Sequence, residues 1–207
     1  MFERQRRNCK IIISLANRLL LTIFVATMIF CFLGESNTHA ESIYVDLGTI
    51  AGIPSSAYGG PSGVAGTWNG VGIGTTSSLN DITGATTSVD VTVTAYGIGT
   101  GGGSTTDPDY TALFADTIYS EDYWSVDFSG LADGPYNVYL CAPDSTSVYT
   151  GVMNVNGIEV PEIQSGFTVE STMVSGGALS ISGTPPGIFF AGLAGVQVCA
   201  VPFPGAI

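Results

Sequence analysis

The chain has 207 residues, of which 17 are acidic and 5 basic, and its formal net charge is −12 at pH 7. Every basic residue lies before residue 19 and the single histidine is His39, so residues 41–207 contain no Lys, Arg or His. A cation-free acidic surface repels phosphate, which excludes nucleic acid as a partner. The missing imidazole and amine exclude Ser-His-Asp, Cys-His, P-loop and His-zinc chemistry from this part of the chain.

The first 40 residues have the three parts of a secretory signal. A cationic start is followed by an apolar run, Leu19–Leu33, and by the small-x-small sequence Thr38-His39-Ala40. This pattern predicts a signal peptide over residues 1–40, cleaved after Ala40, and a secreted or cell-surface protein that meets the membrane only through this segment. The alternative is an uncleaved anchor, against which Arg18 argues, because a charge near the bilayer centre costs about 3 kcal/mol or more.

After Ala40, short runs of alternating apolar and polar residues predict β-strands. They lie at Ile43–Leu47, Ser88–Thr94, Tyr136–Leu140, Gly151–Val155, Ala178–Ser182 and Gly195–Cys199. The dipeptide Asn156-Gly157 predicts a hairpin turn, and Asp133-Gly134-Pro135 a link between two strands. One short helix is predicted at Tyr110–Tyr119, and two long loops at Thr49–Gly66 and Gly97–Asp109. We therefore expect residues 41–207 to form a single all-β domain, an antiparallel sandwich.

Four segments of the chain resemble a group of bacterial exported proteins with a jelly-roll domain of the galactose-binding-like type. They are the opening strand Ile43–Gly48, the Gly66-Thr67-Trp68-Asn69 segment, the Phe128–Tyr139 corner with the following Val155-Asn156-Gly157 turn, and the closing strand Leu193–Val198. The resemblance implies a jelly-roll β-sandwich and an extracellular setting, with sugar binding as one of its roles. Some members of this group carry a Pro-Glu-Pro sorting tail, an apolar helix and an Arg cluster, which residues 201–207 do not match.

Aromatic side chains near the long loops are the candidates for sugar stacking, because ring faces bind the apolar face of a pyranose. Trp68 and Tyr58 flank the first loop, and Tyr149 lies near another turn. Asn69 and Asp144 are the candidate hydrogen-bonding partners for an extracellular glycan. Tyr119 and Trp124 are further aromatics, but Trp124 alternates with Val126 and Phe128, which predicts that it is buried.

Two further sites follow from residue chemistry. Asp107-Pro108-Asp109 places two carboxylates in one loop, which predicts a calcium site at Asp107 and Asp109. Cys141 and Cys199 are the two cysteines after Ala40, and an even number in an exported chain favours a disulfide between them. The alternative is a pair of buried free thiols.

These observations favour an exported, non-catalytic binding or cell-surface protein with a glycan ligand. The first alternative is an acidic structural or matrix protein that coordinates divalent cations. The second is a carboxylate-dependent glycosidase. Its candidate acids are Glu121 and Asp122, beside Tyr123-Trp124, with Asp107, Asp109, Asp116 or Asp144.

Overall fold

The computed structural model describes residues 41–100, 106–143, 148–185 and 190–202, without the side chains of Val148 and Tyr149. The signal peptide predicted over residues 1–40 lies outside the described residues. The strands are β1 Ile43–Leu47, β2 Trp68–Val71, β3 Gly74–Thr76, β4 Asp90–Thr94, β5 Gly97–Thr100, β6 Asp116–Ser120, β7 Trp124–Ser129, β8 Gly134–Cys141, β9 Val148–Tyr149, β10 Val152–Val155, β11 Ile158–Val160, β12 Phe167–Val174, β13 Leu179–Thr184, β14 Phe190–Leu193 and β15 Gly195–Ala200. One α-helix, α1, spans Pro108–Phe114, and a short 3₁₀ turn spans Gly60–Ser62.

The strands form three sheets in a jelly-roll β-sandwich, as predicted. The first sheet has the order β12-β8-β15-β1-β2 and the second the order β11-β10-β13-β7-β4-β3. Neighbouring strands are antiparallel except where β1 pairs with β2 and β14 with β9. The inward residues of β1, Ile43, Val45 and Leu47, belong to the same buried apolar cluster as Trp124 and Phe128 of β7. This cluster is the core between the first two sheets.

The third sheet has the order β5-β6-β14-β9 and continues from both other sheets. Strand β6 ends four residues before β7 begins, and β14 is separated from β15 by Ala194 alone. Ile118 of β6 and Leu193 of β14 are fully buried in the core. The opposite face of this sheet carries Tyr119, which is only partly covered.

The outer face of the first sheet is also covered, which explains why every residue of β1 is buried. Tyr44 of β1 and Trp68 of β2 point away from the core and form a second apolar cluster with Leu113 and Phe114 of α1. Residues 48–66 pass over the same face. Alternate residues of β1 therefore enter two different buried clusters, the core on one face and the outer cluster on the other, and neither face meets solvent.

The predicted strand positions are confirmed, and the predicted helix is partly wrong. Of the predicted helix Tyr110–Tyr119, the residues up to Phe114 lie in α1, whereas Asp116–Ser120 forms β6, paired with β5 and β14. The β-branched residues Thr117 and Ile118 suit a strand, and both are buried by these neighbours. The expected second loop, Gly97–Asp109, contains β5, which pairs with β6, and the first residues of α1. The first loop, Thr49–Gly66, contains no strand.

Two turns have the predicted roles. Asn156 and Gly157 connect β10 to β11 with positive φ values of 47° and 88°, the backbone that an Asn-Gly hairpin requires. The Asp133-Gly134-Pro135 segment carries the chain from the second sheet to the first. There the Tyr136 hydroxyl donates to the Ala132 carbonyl at 3.0 Å, a tyrosine corner that fixes the entry into β8.

Candidate functional site

The proposed role of Trp68 and Tyr58 as an open sugar-stacking platform is wrong, because Trp68 is only 6% exposed. Its Nε1 donates to the Tyr58 carbonyl at 3.0 Å, and its ring packs 5.1 Å from the Tyr44 ring. The Tyr58 ring covers the other side, with the two ring centroids 6.2 Å apart. Trp68 therefore anchors the first loop to the outer face of the sheet.

Asn69, one of the two predicted polar partners of the sugar, is bonded to the backbone of its own chain. The Asn69 amide donates to the carbonyls of Tyr44 and Asn80, and its oxygen accepts from the Asn80 backbone N–H at 2.8 Å. The Asn69 side chain therefore links the backbone of β1 at Tyr44 to the backbone at Asn80. The backbone of Tyr149 in β9 pairs with Ala191, and Asp144 lies outside the described residues.

Asp107 and Asp109 make hydrogen bonds within the chain. Asp107 is the N-cap of α1 and accepts from the backbone N–H groups of Asp109 and Tyr110. Asp109 accepts from the Ser55 backbone N–H at 2.6 Å and from the Ser55 hydroxyl at 2.8 Å, which ties α1 to the first loop. Among the described residues, no three acidic, histidine or cysteine side chains come together as a metal cluster. Calcium binding at this pair stays a prediction, without geometric support.

The predicted disulfide between Cys141 and Cys199 is wrong, and the alternative of two free thiols is what the structure contains. In the pairing of β8 with β15, Cys141 lies opposite Gly195 while Cys199 lies opposite Asn137. The cysteines are therefore four positions apart along neighbouring strands, about 13 Å at a strand's rise per residue, whereas a disulfide needs Cα atoms within about 7 Å. Burial raises the pKa of both thiols, which disfavours the reactive thiolate.

Three aromatic side chains lie together beside the third sheet, and we call them the aromatic surface: Tyr96, which is exposed and precedes β5, and the half-buried Tyr119 and Phe190. The ring centroids of Tyr96 and Tyr119 are 6.0 Å apart. Those of Tyr119 and Phe190 are 5.3 Å apart, edge to face. Tyr96 is 74% exposed, the most open large apolar side chain in the described part of the protein.

Glycines beside Tyr119 give this surface its shape. In the sheet register Tyr119 lies between Gly97 of β5 and Gly192 of β14. A Cβ atom placed on Gly97 would lie 2.8 Å from the Tyr119 hydroxyl oxygen, and one on Gly99 would lie 3.1 Å from ring atom Cε1. The tyrosine ring therefore lies across the bare backbone of β5. A side chain at Gly97 would displace the ring.

Tyr119 is a candidate aromatic in the sequence, whereas Tyr96 and Phe190 are not predicted. The loop predicted over Gly97–Asp109 assigns no strand face to the neighbouring Tyr96. The available signal was the alternation Gly97-x-Gly99, which leaves one face of a strand without side chains. A second exposed aromatic side chain, Tyr123, lies on the turn between β6 and β7 with 48% of its surface exposed. Its neighbours in the sequence are the exposed carboxylates of Glu121 and Asp122.

A second unusual feature is a pair of buried acids, Asp46 of β1 and Asp116 of β6, both with no exposed surface. Neither oxygen of Asp46 has a hydrogen-bond partner, and neither has Oδ1 of Asp116. Asp116 Oδ2 accepts from the Ala51 backbone N–H at 2.9 Å. Burial and the neighbouring Asp116 charge raise the pKa of Asp46 to about 9, and burial also raises the pKa of Asp116.

Comparisons with known proteins give structural likeness only. No protein-family model matches the chain, and no curated protein matches it. Solved structures that it resembles include protein YxiM from Bacillus subtilis, at 14% identity and TM-score 0.46, covering 78% of this chain and 40% of that one. The plant receptor-like kinase FER matches at 15% identity and TM-score 0.45, over 81% and 44% of the two chains. A calcium-binding mutant of beta-glucuronidase 2 from Bacteroides uniformis matches at 12% identity and TM-score 0.47, over 81% and 19%.

The chain therefore spans less than half the length of each of these three proteins. Within the part of the chain that the structure describes, no helix has the length and apolar character needed to cross a membrane.

Proposed function

We propose that this chain is an exported, non-catalytic binding domain, and that its ligand is an extracellular glycan held on the aromatic surface. The observation that carries the proposal is the contact of the exposed Tyr96 with the half-buried rings of Tyr119 and Phe190 beside the third sheet. An exposed apolar patch of this kind often marks a binding site.

The chemistry of this surface suits a sugar better than a charged ligand. Residues 41–207 contain no cationic side chain to attract phosphate or sulfate. Aromatic ring faces instead accept the C–H groups on the apolar face of a pyranose. The hydroxyls of Tyr96 and Tyr119 supply polar groups at the edges of the rings. Because Tyr119 is held flat by the glycine-lined backbone of β5, little rotamer freedom is lost when a ligand stacks on it.

The position of the acidic residues supports a non-catalytic role. A glycosidase needs two carboxyl groups on either side of the scissile bond in a cleft that substrate enters. Asp46 and Asp116 come together, but both are fully buried beneath the first loop. Glu121 and Asp122 are neighbours on an exposed turn rather than a facing pair.

The test is binding of the purified protein to a glycan array and to insoluble polysaccharides, with Tyr96→Ala and Tyr119→Ala as site variants. Phe167→Ala is the matched control, because Phe167 is 50% exposed and contacts another aromatic ring, that of Tyr139, on the first sheet. We expect selective binding that falls at least tenfold in both site variants and is retained in the control. Absence of selective glycan binding, or equal loss in the control, contradicts the proposal.

The alternative function is an acidic matrix protein that coordinates divalent cations. The observation that favours it is the charge of residues 41–207: two of the 17 acidic residues, Glu3 and Glu35, precede residue 41, which leaves fifteen acids and no base. Repeating the glycan array with calcium and with chelator separates the two functions. A matrix role predicts calcium-dependent self-association without selective sugar binding.

A further inference from the structure

The buried pair Asp46 and Asp116 poses a problem of charge balance. Burying an ionised carboxylate is costly unless a cation or hydrogen bonds compensate it. Three of the four carboxylate oxygens have no hydrogen-bond partner, and both side chains are fully buried. No residue from 41 to 207 is a Lys, Arg or His, so this part of the chain has no counter-charge to offer. The charge must be neutralised by protons or by a cation from solution.

The two carboxyl groups meet at the end of β1. Asp46 is the last outward-facing residue of that strand, and Gly48 follows at φ +130°, a conformation that favours glycine. A Cβ atom on Gly48 would lie 2.8 Å from Cγ of Asp116. The Asp116 carboxyl group therefore packs against the backbone two residues beyond Asp46. Glycine at position 48 therefore leaves the space that the carboxyl group of Asp116 occupies.

Glycines flank Asp46 on both neighbouring strands. In the sheet register the neighbours of Asp46 on both sides are glycines, Gly195 of β15 and Gly70 of β2. The positions that their side chains would occupy are filled from above, by Leu113 of α1 and by Ile53 and Thr49 of the first loop. The pair is thus closed off by the helix and the loop rather than opened to solvent.

The loop also orients one carboxylate. The Ala51 backbone N–H donates to Oδ2 of Asp116 at 2.9 Å. This bond holds one side of the carboxyl group and leaves Oδ1 without a partner. Together with both oxygens of Asp46, three buried carboxyl oxygens therefore have no hydrogen-bond partner.

We propose that Asp46 and Asp116 bind one divalent cation, with calcium preferred, beneath the loop Gly48–Ile53. Hard cations take carboxylate oxygens, and calcium completes a set of six to eight ligands with backbone carbonyls and water. Cys141 lies on the same outer face one strand beyond Gly195, and burial raises the pKa of its thiol, which disfavours the thiolate that zinc would bind. This ligand chemistry selects calcium or magnesium over zinc.

The test is calcium titration of the full-length purified protein after treatment with chelator. Isothermal titration calorimetry measures stoichiometry and affinity, and a thermal melt with EDTA, calcium or magnesium measures the effect on stability. The site variant is Asp46→Asn, and Asp122→Asn is the matched control because Asp122 is an exposed carboxylate on the surface. If Asp46→Asn does not fold, Asp116→Asn takes its place in the same comparison.

We expect one calcium per chain, a higher melting temperature with calcium than with EDTA, and release of about one proton on binding, because a carboxyl group of raised pKa must ionise to become a ligand. Asp46→Asn should weaken binding at least tenfold and abolish the melting shift, while Asp122→Asn should retain both. The proposal is overturned if the wild-type protein binds no stoichiometric calcium, or if Asp46→Asn binds as tightly as wild type. Neither result bears on the aromatic surface, because Asp116 and Tyr119 alternate onto opposite faces of β6.

Discussion

In the absence of metal ions, the stability of this protein depends on the protonation of Asp46, and the sign of this dependence follows from its pKa. The pKa of Asp46 is raised from 3.8 to about 9 in the folded protein by burial and by the Asp116 charge. Between these two values the folded chain keeps a proton that the unfolded chain has released. The free energy of unfolding is therefore greatest at low pH for this group and falls as the pH rises towards 9.

The size of the effect follows from the same values. Each pH unit in this range lowers the free energy of unfolding by about 1.4 kcal/mol for one proton kept by the folded state. From pH 5 to pH 8 the Asp46 contribution therefore falls by about 4 kcal/mol. Asp116 acts in the same direction because its pKa is also raised, and the buried Cys141 thiol stays protonated throughout this range.

The assay is urea unfolding in EDTA at pH 5, 6, 7 and 8, followed by tryptophan fluorescence. Asp46→Asn carries no titrating group at this position, so its stability should fall less steeply, and it should be more stable than wild type at pH 8. The difference between the two profiles removes the general repulsion among surface acids, which both proteins share. Parallel profiles for the two proteins would refute the reasoning.

Three further predictions concern packing, capping and the thiols. Gly183→Ala should lower the free energy of unfolding by about 1–3 kcal/mol, because the new Cβ would lie 2.4 Å from the buried indole of Trp124. The control is Gly72→Ala, whose Cβ would lie 3.8 Å from its nearest neighbouring atom. In the same urea titration it should change the free energy of unfolding by less than about 0.5 kcal/mol. Asp107→Ala removes the N-cap of α1 and should cost about 1 kcal/mol; an unchanged unfolding midpoint would argue against the cap. Alkylation of the unfolded protein without reductant, followed by peptide mass spectrometry, should label both Cys141 and Cys199, and a disulfide-linked peptide would contradict the strand register.

Local patterns in the sequence predicted most of the strands, because alternation of apolar and polar residues is a property of neighbouring positions. Ile43–Leu47 was predicted with the observed bounds, and Asn156-Gly157 was recognised as a hairpin turn. The helix was predicted too long, since Asp116–Ser120 is a strand only because β5 and β14 pair with it. Alternation also gave no sign that the outer face of β1 is covered.

The candidate sites depended on contacts between distant segments. Trp68 flanks a long loop in the sequence, yet that same loop buries it. Tyr96, Tyr119 and Phe190 become neighbours only through the register of the third sheet. Cys141 and Cys199 were favoured as a disulfide by number alone, while their distance depends on how β8 pairs with β15.

The sequence by itself determined an all-β chain whose residues 41–207 have carboxylates but no cationic side chain, and this property needs no coordinates because it is a matter of composition. The tertiary structure decided which of those carboxylates lie together. Asp46 and Asp116 are 70 positions apart in the sequence, and only the packing of β6 and the first loop against the end of β1 buries them as a pair. Alternation assigns a residue to a face of its strand, but the covering of that face depends on distant parts of the chain.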